Sequence, residues 1–325
     1  MSKAIRVHQA GDPSVMKFEE LEVPPPGPGE VQLRHTAIGV NFIDVYNRSG
    51  LYTLPLPFTP GQEGAGVVTA LGEGVTTLKV GQRVAYAGMA GAYAEVRNAK
   101  ADKLVVLPDG ISDQIAASVM LKGMTAHMLL RKVRPVGKGD TILIHAAAGG
   151  VGLLATQWAK HLGAKVIGAV GTPSKVALAA PNCDHVINLA EGPWVEKVKS
   201  LTGGAGVQVV YDSVGKDTIA QSLEVLAPRG MLVSFGQSSG KPPPIDILSL
   251  GGPRSLFLSR PSMHAWVHTR AELEEASGAL FEVMKSGAVK VNPPRTFALS
   301  AAADAHRALE GRQTTGSVVL LPLPA

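Results

Sequence analysis

Residues 145–152 read His-Ala-Ala-Ala-Gly-Gly-Val-Gly. An apolar strand candidate, Thr141 to His145, precedes the glycines, and a helical pattern from Val151 to Leu162 follows. Glycines in a strand-to-helix turn let backbone N–H groups approach a pyrophosphate closely. The helix start then offers unpaired N–H donors and a positive dipole end. Gly149, Gly150 and Val151 are the expected phosphate contacts, and Gly152 lets the helix pack on the strand. Ala147 replaces the first glycine of G-x-G-x-x-G, so the strand and helix context carries this reading beside that of an ordinary small-residue turn.

The next strand candidate, Lys165 to Val170, bears on which dinucleotide fits. An NAD site places Asp or Glu about 20 residues beyond the glycines, on the ribose hydroxyls. The stretch Ile167 to Lys175 contains no carboxylate; it offers Gly171, Thr172, Ser174 and Lys175. A carboxylate would repel a 2′-phosphate and a lysine attracts it, so the pattern points to NADPH. Lys175 as a solvated helix-start residue is the alternative.

A third group lies nearer the N-terminus. Tyr46 and Tyr52 can each stack on a flat ring while donating a hydrogen bond or a proton. Asn47 and Arg48, between them, can add polar edges. Asn41 can bond a nicotinamide or a substrate carbonyl, or serve as an Asx-turn residue. The tyrosines can equally pack as a pocket wall. Arg260 suits a phosphate, a substrate or an interface ion pair. Cys183, beside Asp184 and without a positive flank, reads as inert.

These residues need a scaffold. Residues 1–124 read as mostly β, with apolar stretches at Ala4–His8, Val31–Val40, Gly61–Leu71 and Val80–Tyr86 separated by turn clusters. After Gly137 strands alternate with helices: Val207 to Tyr211 and Met231 to Phe235 continue the series, which predicts a parallel sheet with crossover helices. Helical patterns return from Thr269 to Met284 and from Ala301 to Leu309, before a last strand candidate, Ser317 to Leu321. The expected division is a β-rich domain of residues 1–124 and 266–325 around a nucleotide-binding domain of residues 125–265.

Composition agrees. At 325 residues, with 45% hydrophobic and 18% charged, the chain is long enough for two cores and too apolar to be disordered. The net charge of +5 comes from scattered cations; Lys197 and Lys199 alternate with Glu196 and apolar residues, so the basic clustering of a nucleic-acid binder is missing. One cysteine excludes an internal disulfide and a cysteine-rich zinc site. The N-terminal stretch lacks an apolar signal region, and no apolar run reaches membrane-spanning length. A soluble cytoplasmic protein is expected.

The chain resembles the zinc-independent quinone oxidoreductases of the medium-chain dehydrogenase/reductase superfamily, the group that includes zeta-crystallin. The motifs run in order: Asn41-Phe-Ile-Asp-Val-Tyr46, Arg48-Ser-Gly-Leu-Tyr52, Gly61-Gln-Glu-Gly-Ala-Gly66, Leu121-Lys-Gly-Met-Thr125, the glycine loop, Val210-Tyr-Asp-Ser-Val-Gly215, Val233-Ser-Phe-Gly236 and Ser259-Arg-Pro-Ser262. The resemblance implies an α/β chain with a GroES-like catalytic domain and a Rossmann domain, and a homodimer. It implies cofactor contacts from Asn41, Thr125, the glycine loop, Gly171, Lys175, Phe235, Ser238 and Arg260. Asn41, Tyr46 and Tyr52 become the catalytic candidates.

Zinc-dependent relatives carry an early Cys and a later Gly-His-Glu; here Asn41 stands near the first position and Gln62 replaces the histidine. A catalytic zinc needs three Cys, His or carboxylate ligands, so none is expected. Leu189 stands where close relatives often hold the adenosine-phosphate end with a tyrosine, which leaves Lys175 more of that task; Met128 stands near another tyrosine position. The implied activity is metal-free reduction of a quinone by NADPH. The alternatives are an NADPH-dependent enone or alkenal reductase and a non-catalytic NADPH-binding protein, structural or RNA-associated.

Overall fold

The computed structural model describes residues 2–322. The described residues divide into two compact units: residues 2–124, 267–281 and 291–322 form the first, and residues 125–266 with 282–290 form the second.

The first unit begins with a hairpin-like pair, β1 (Ser2–Val7) and β2 (Met16–Leu21). Its main sheet uses β3 (Glu30–Val40), β4 (Glu63–Leu71), β5 (Arg83–Ala87), β6 (Val96–Lys100) and β7 (Val105–Val106). The chain enters helix α1 (Phe42–Ser49) straight from β3, and α2 (Asp113–His127) follows β7. Strand β3 is the hub: it pairs antiparallel with β4 and β6, and its last residues pair with a strand from the C-terminal end of the chain. Leu33, Ile38, Val68, Val84, Tyr86, Tyr93 and Leu104 are buried in this unit's core. Alternation of apolar and polar residues along β3 turns one face inward, as the period of two requires.

The second unit is built on six parallel strands: β8 (Thr141–His145), β9 (Lys165–Val170), β10 (His185–Asn188), β11 (Val207–Asp212), β12 (Leu226–Ser234) and β13 (Phe257–Ser259). Their spatial order is β10-β9-β8-β11-β12-β13. The chain winds outward from β8 in one direction through β10, then returns to β8 and winds the other way. That is the doubly wound order, with its switch point between β8 and β11. Helices α3 (Gly150–His161), α4 (Val176–Ala179), α5 (Trp194–Leu201) and α6 (Ile219–Glu224) form the crossovers. Both sheet faces are covered, so Leu143, Ile167, Val210 and Leu232 are buried and the strands read as continuous apolar runs.

Beyond β13 come α7 (Met263–Trp266) and α8 (Arg270–Lys285), then β14 (Arg295–Ala298), α9 (Ala302–Glu310) and β15 (Val318–Leu321). Strand β15 is the C-terminal partner of β3, so the tail returns to the first unit's sheet. Among the described residues no helix is long and apolar enough to cross a membrane.

Candidate active site

The second unit gathers its candidates along one edge. In a parallel sheet every strand delivers its following loop to the carboxyl edge, and the switch point opens a crevice there. Gly149 to Gly152 follow β8, Gly171 to Lys175 follow β9, Phe235 to Ser238 follow β12, and Arg260 follows β13. Residues far apart in sequence thus share one edge of one sheet.

The glycine loop is shaped by close approach. A Cβ on Gly152 would lie 2.2 Å from the Ala146 carbonyl oxygen and 2.8 Å from the Ala147 Cα. Only glycine lets α3 start this close to β8. Ala146 itself takes a left-handed φ of 51°, which turns that carbonyl under the helix, where it accepts from the Gly149 N–H at 2.8 Å. The first-turn N–H groups of α3 have no carbonyl one turn earlier to bond. They form a donor set with the positive helix end behind it, a cradle fitted to a pyrophosphate.

The end of β9 carries Gly171, then a tight turn in which the Lys175 N–H bonds the Thr172 carbonyl at 3.1 Å. Thr172 and Ser174 place their hydroxyls 3.2 Å apart, and Lys175 is half-buried. On the other side of the switch point, Asp212 accepts from the Val214 and Gly215 N–H groups at 2.8 and 3.0 Å. It also takes the hydroxyl protons of Thr218 and Ser222. Since Ser222 donates to Asp212, His145 Nε2 must donate to Ser222 Oγ at 2.9 Å. That places a proton on Nε2, and burial lowers the pKa of His145, which favours the neutral ring. This set locks the loop after β11 to the end of β8. Phe235 N–H bonds the Asp212 carbonyl, Ser238 N–H bonds the Ser213 carbonyl, and Arg260 Nη1 bonds the Ser234 carbonyl at 2.9 Å. Thr125 is buried in α2.

The first unit holds Asn41, Tyr46 and Tyr52. Asn41 follows β3 directly and caps α1, where Asp44 Oδ2 accepts the Asn41 N–H at 2.9 Å. Tyr46 is buried on α1; Tyr52, half-buried just past the helix, meets it edge-on with ring centroids 5.5 Å apart. The amide Nδ2 of Asn41 donates to Glu63 Oε2 at 2.9 Å. Lys122 Nζ donates to the same oxygen at 3.1 Å, and the Leu121 N–H to Glu63 Oε1 at 2.7 Å.

Behind α1 runs a chain of buried hydrogen bonds with one polarity. Arg48 only donates, so His306 Nδ1 accepts from its Nη1 at 3.1 Å. His306 Nε2–H then donates to the Tyr93 hydroxyl at 3.0 Å, and Tyr93 donates to Asp44 Oδ2 at 3.1 Å. Burial and the Arg48 charge hold His306 down at about 3. Burial pushes Asp44 up to about 7, against the bonds from Asn41 and Tyr93; its Oδ1 is buried without a partner.

Two sequence expectations meet this geometry differently. The reading of Arg48 as a polar edge beside the tyrosines is corrected. Its side chain is only 2% exposed, grips Glu310 with both terminal nitrogens at 2.8 Å and bonds the Gly11 carbonyl through Nε. Its donors are spent on tying α1 to α9. Cys183 is buried, and burial pushes its thiol up to about 12, which keeps it protonated and unreactive. Sequence reading did not single out Asp44, Glu63 or Lys122 as functional. A charged residue inside an otherwise apolar and glycine-rich motif, Gly61-Gln-Glu-Gly-Ala-Gly66, was the available signal for Glu63.

The chain matches known families over both units. Residues 27–109 match the alcohol dehydrogenase GroES-like domain, and residues 150–281 match the zinc-binding dehydrogenase family. A quinone oxidoreductase of Pseudomonas aeruginosa is 47% identical over 325 residues, covering 99% of this chain and all of the relative. The chain belongs to the quinone oxidoreductase family. Its architecture is that of the medium-chain dehydrogenases/reductases, a GroES-like domain with a Rossmann domain. The crystal structure of Escherichia coli quinone oxidoreductase complexed with NADPH superposes with a TM-score of 0.96 at 46% identity, covering 98% of this chain and all of that one. A 2-haloacrylate reductase from a Burkholderia species is 45% identical, with 99% of both chains covered. Within the family frame, Asn41 and Gln62 are amides in the region where zinc-dependent dehydrogenases place ligands, and Asn41 is committed to Glu63.

Proposed function

We propose that this protein is an NADPH-dependent quinone oxidoreductase that works without a metal. One observation carries the reading: the end-to-end likeness to quinone oxidoreductases, which spans the GroES-like and the Rossmann parts alike. The carboxyl edge of the second unit fits a dinucleotide, because the cradle at Gly152 is one that a Cβ would fill. The acid-free end of β9 and Lys175 favour the 2′-phosphate form. Gly149, Gly150, Val151 and Gly152 receive the pyrophosphate, and Gly171 and Lys175 take the adenosine-phosphate end. Thr125, Phe235, Ser238, Arg260 and Asn41 complete the cofactor contacts.

When bound, NADPH supplies the hydride that reduces the acceptor. Asn41, Tyr46 and Tyr52 orient that acceptor, and water supplies the proton that completes the hydroquinone. A quinone is electrophilic already, so its reduction does not call for the Lewis acid that alcohol oxidation uses. An amide is a poor zinc ligand, and Lys122 already sets a cation against the Glu63 carboxylate.

The 2-haloacrylate reductase relative supports a second reading, an NADPH-dependent reductase of enones, alkenals or other activated alkenes. NADPH oxidation across a panel of quinones and activated alkenes separates the two. Faster turnover of quinones is the expected result, and faster turnover of alkenes would sink the first reading. Absence of turnover with every acceptor, together with salt-sensitive RNA retention, would favour the structural or RNA-associated alternative. Lys175→Ala should weaken NADPH binding about tenfold, or ~1.4 kcal/mol, and leave NADH unchanged. Equal losses for both cofactors would remove Lys175 from the phosphate site.

We also propose a homodimer in the cytoplasm. Strand β13 lies at the edge of its sheet, and Phe257 and Leu258 on it are 55% and 42% exposed. An uncovered apolar edge strand is a template for pairing. The lone, buried Cys183 suits a reducing compartment.

A further inference from the structure

Glu63 is completely buried, and both of its oxygens accept hydrogen bonds, from α2 and from the start of α1. Oε1 takes the Leu121 N–H at 2.7 Å; Oε2 takes Lys122 Nζ at 3.1 Å and Asn41 Nδ2 at 2.9 Å. The fold makes room for this carboxylate. A Cβ on Gly39 of β3 would lie 2.3 Å from Glu63 Oε2 and 2.2 Å from the Ala117 carbonyl oxygen. The strand that delivers Asn41 is thus bare where the carboxylate sits.

A carboxylate only accepts hydrogen bonds. Asn41 can therefore face it with nitrogen and not with oxygen, which resolves the two-fold ambiguity of an amide. We propose that Glu63 is a positioning residue that clamps the Asn41 amide with its nitrogen inward, so that Oδ1, which meets the Asp44 N–H in the capping box of α1, keeps its other lone pair as the acceptor Asn41 presents to a bound ligand. The ligand group that suits it is an N–H or O–H donor, such as the carboxamide N–H of a nicotinamide. Lys122 balances the buried charge and holds the carboxylate in place. The proposal rests on the assignment of Asn41 to the cofactor site given above.

Glutamine is nearly isosteric with Glu63 but accepts at one atom only. It can satisfy the Leu121 N–H or the Asn41 N–H, not both, and the Asn41 amide becomes free to turn over. Glu63→Gln alone strands the Lys122 charge, so the test variant is Glu63→Gln/Lys122→Met, which removes both charges at similar volume.

Two readouts on the full-length protein keep clamp and function apart. The first is the side-chain amide signal of Asn41 in 15N–1H NMR, assigned by its loss in Asn41→Ala. In the unsubstituted protein one proton should lie downfield and exchange with water at least about tenfold more slowly than an exposed amide. The charge-free pair should abolish both features. Unchanged Asn41 signals in that variant would overturn the clamp. The second readout is kcat/KM with NADPH and a quinone. The charge-free pair should lower it about tenfold, and should lower it no further when Asn41 is already alanine. Full additivity would mean that Glu63 acts on the fold and not through Asn41, which also overturns the proposal. If the NMR signature vanishes as expected while Asn41→Ala has normal kinetics, the clamp stands and the assignment of Asn41 to the site falls.

Discussion

The two units build their candidate sites from different materials. The second unit shapes its phosphate cradle from backbone: amide groups at a helix start, carbonyls at strand ends, and glycines where a side chain would collide; Asp212 with Thr218, Ser222 and His145 locks the loop beside that cradle. The first uses side chains: Asn41, Asp44, Glu63, Tyr93, Lys122 and His306 hold one another through buried hydrogen bonds. A backbone cradle depends on shape and tolerates almost no added atom. A side-chain network depends on each donor meeting an acceptor, and its cost appears when one partner is lost.

The largest effect should come from breaking the network at a charge. Lys122→Met leaves the Glu63 carboxylate buried and unpaired, and should cost about 3–5 kcal/mol of stability by denaturant unfolding. A loss below about 1 kcal/mol would show that the first unit relies on shape after all. The backbone cradle is probed by Gly152→Ala, whose methyl meets the unyielding Ala146 carbonyl at 2.2 Å. About 1–3 kcal/mol of overpacking is expected, with NADPH affinity reduced beside it. Gly39→Ala is the counterpart in the first unit, meeting both backbone and the Glu63 carboxylate. It should cost at least as much stability while sparing NADPH binding to the pyrophosphate cradle, measured by fluorescence titration.

The network should also show in the pH dependence of stability. Asp44 is raised to about 7 in the folded protein from its ordinary 3.8, so the folded form holds its proton where the unfolded form has lost it. Its contribution is present below about pH 4 and is lost as pH rises to about 7. His306 of the network, and His35, buried on β3 between the Ala94 carbonyl and the Tyr86 hydroxyl, are lowered to about 3 from 6.5, so their contributions are present above pH 6.5 and are lost as pH falls toward 3. The carboxyl and the histidines oppose each other between these limits. Asp44→Asn mimics the protonated acid, accepting from Asn41 and Tyr93 with its one oxygen. Urea unfolding of this variant between pH 4 and 6.5 should show stability climbing more steeply with pH, by up to about 1.4 kcal/mol per unit. Parallel curves for variant and parent would deny Asp44 its raised value.

The smallest effects belong to the tyrosines. If their hydroxyls only orient a quinone, Tyr46→Phe and Tyr52→Phe should each cost about 1 kcal/mol in kcat/KM, with NADPH affinity intact. A loss of ~100-fold or more would make one of them the proton donor. Unchanged kinetics in the double variant would leave the pair as packing, as their edge-on contact also permits.

The strands and helices of the Rossmann part were legible because each is local. Thr141–His145 and Lys165–Val170 stand where their apolar runs place them, and α3 begins at the glycines. The sequence alone also carried the family, through motifs spread over the whole chain. It did not reveal what Arg48 does. Arg48 lies two residues from Tyr46, yet its partners are Glu310, His306 and Gly11, and no local pattern announces a contact across more than 250 residues. Glu63, Lys122 and Asp44 escaped for the same reason. A glycine loop is recognised by the side chains it lacks, which sequence shows directly. A buried carboxylate takes its role from the donors that surround it, and only folding brings Asn41, Leu121 and Lys122 to Glu63.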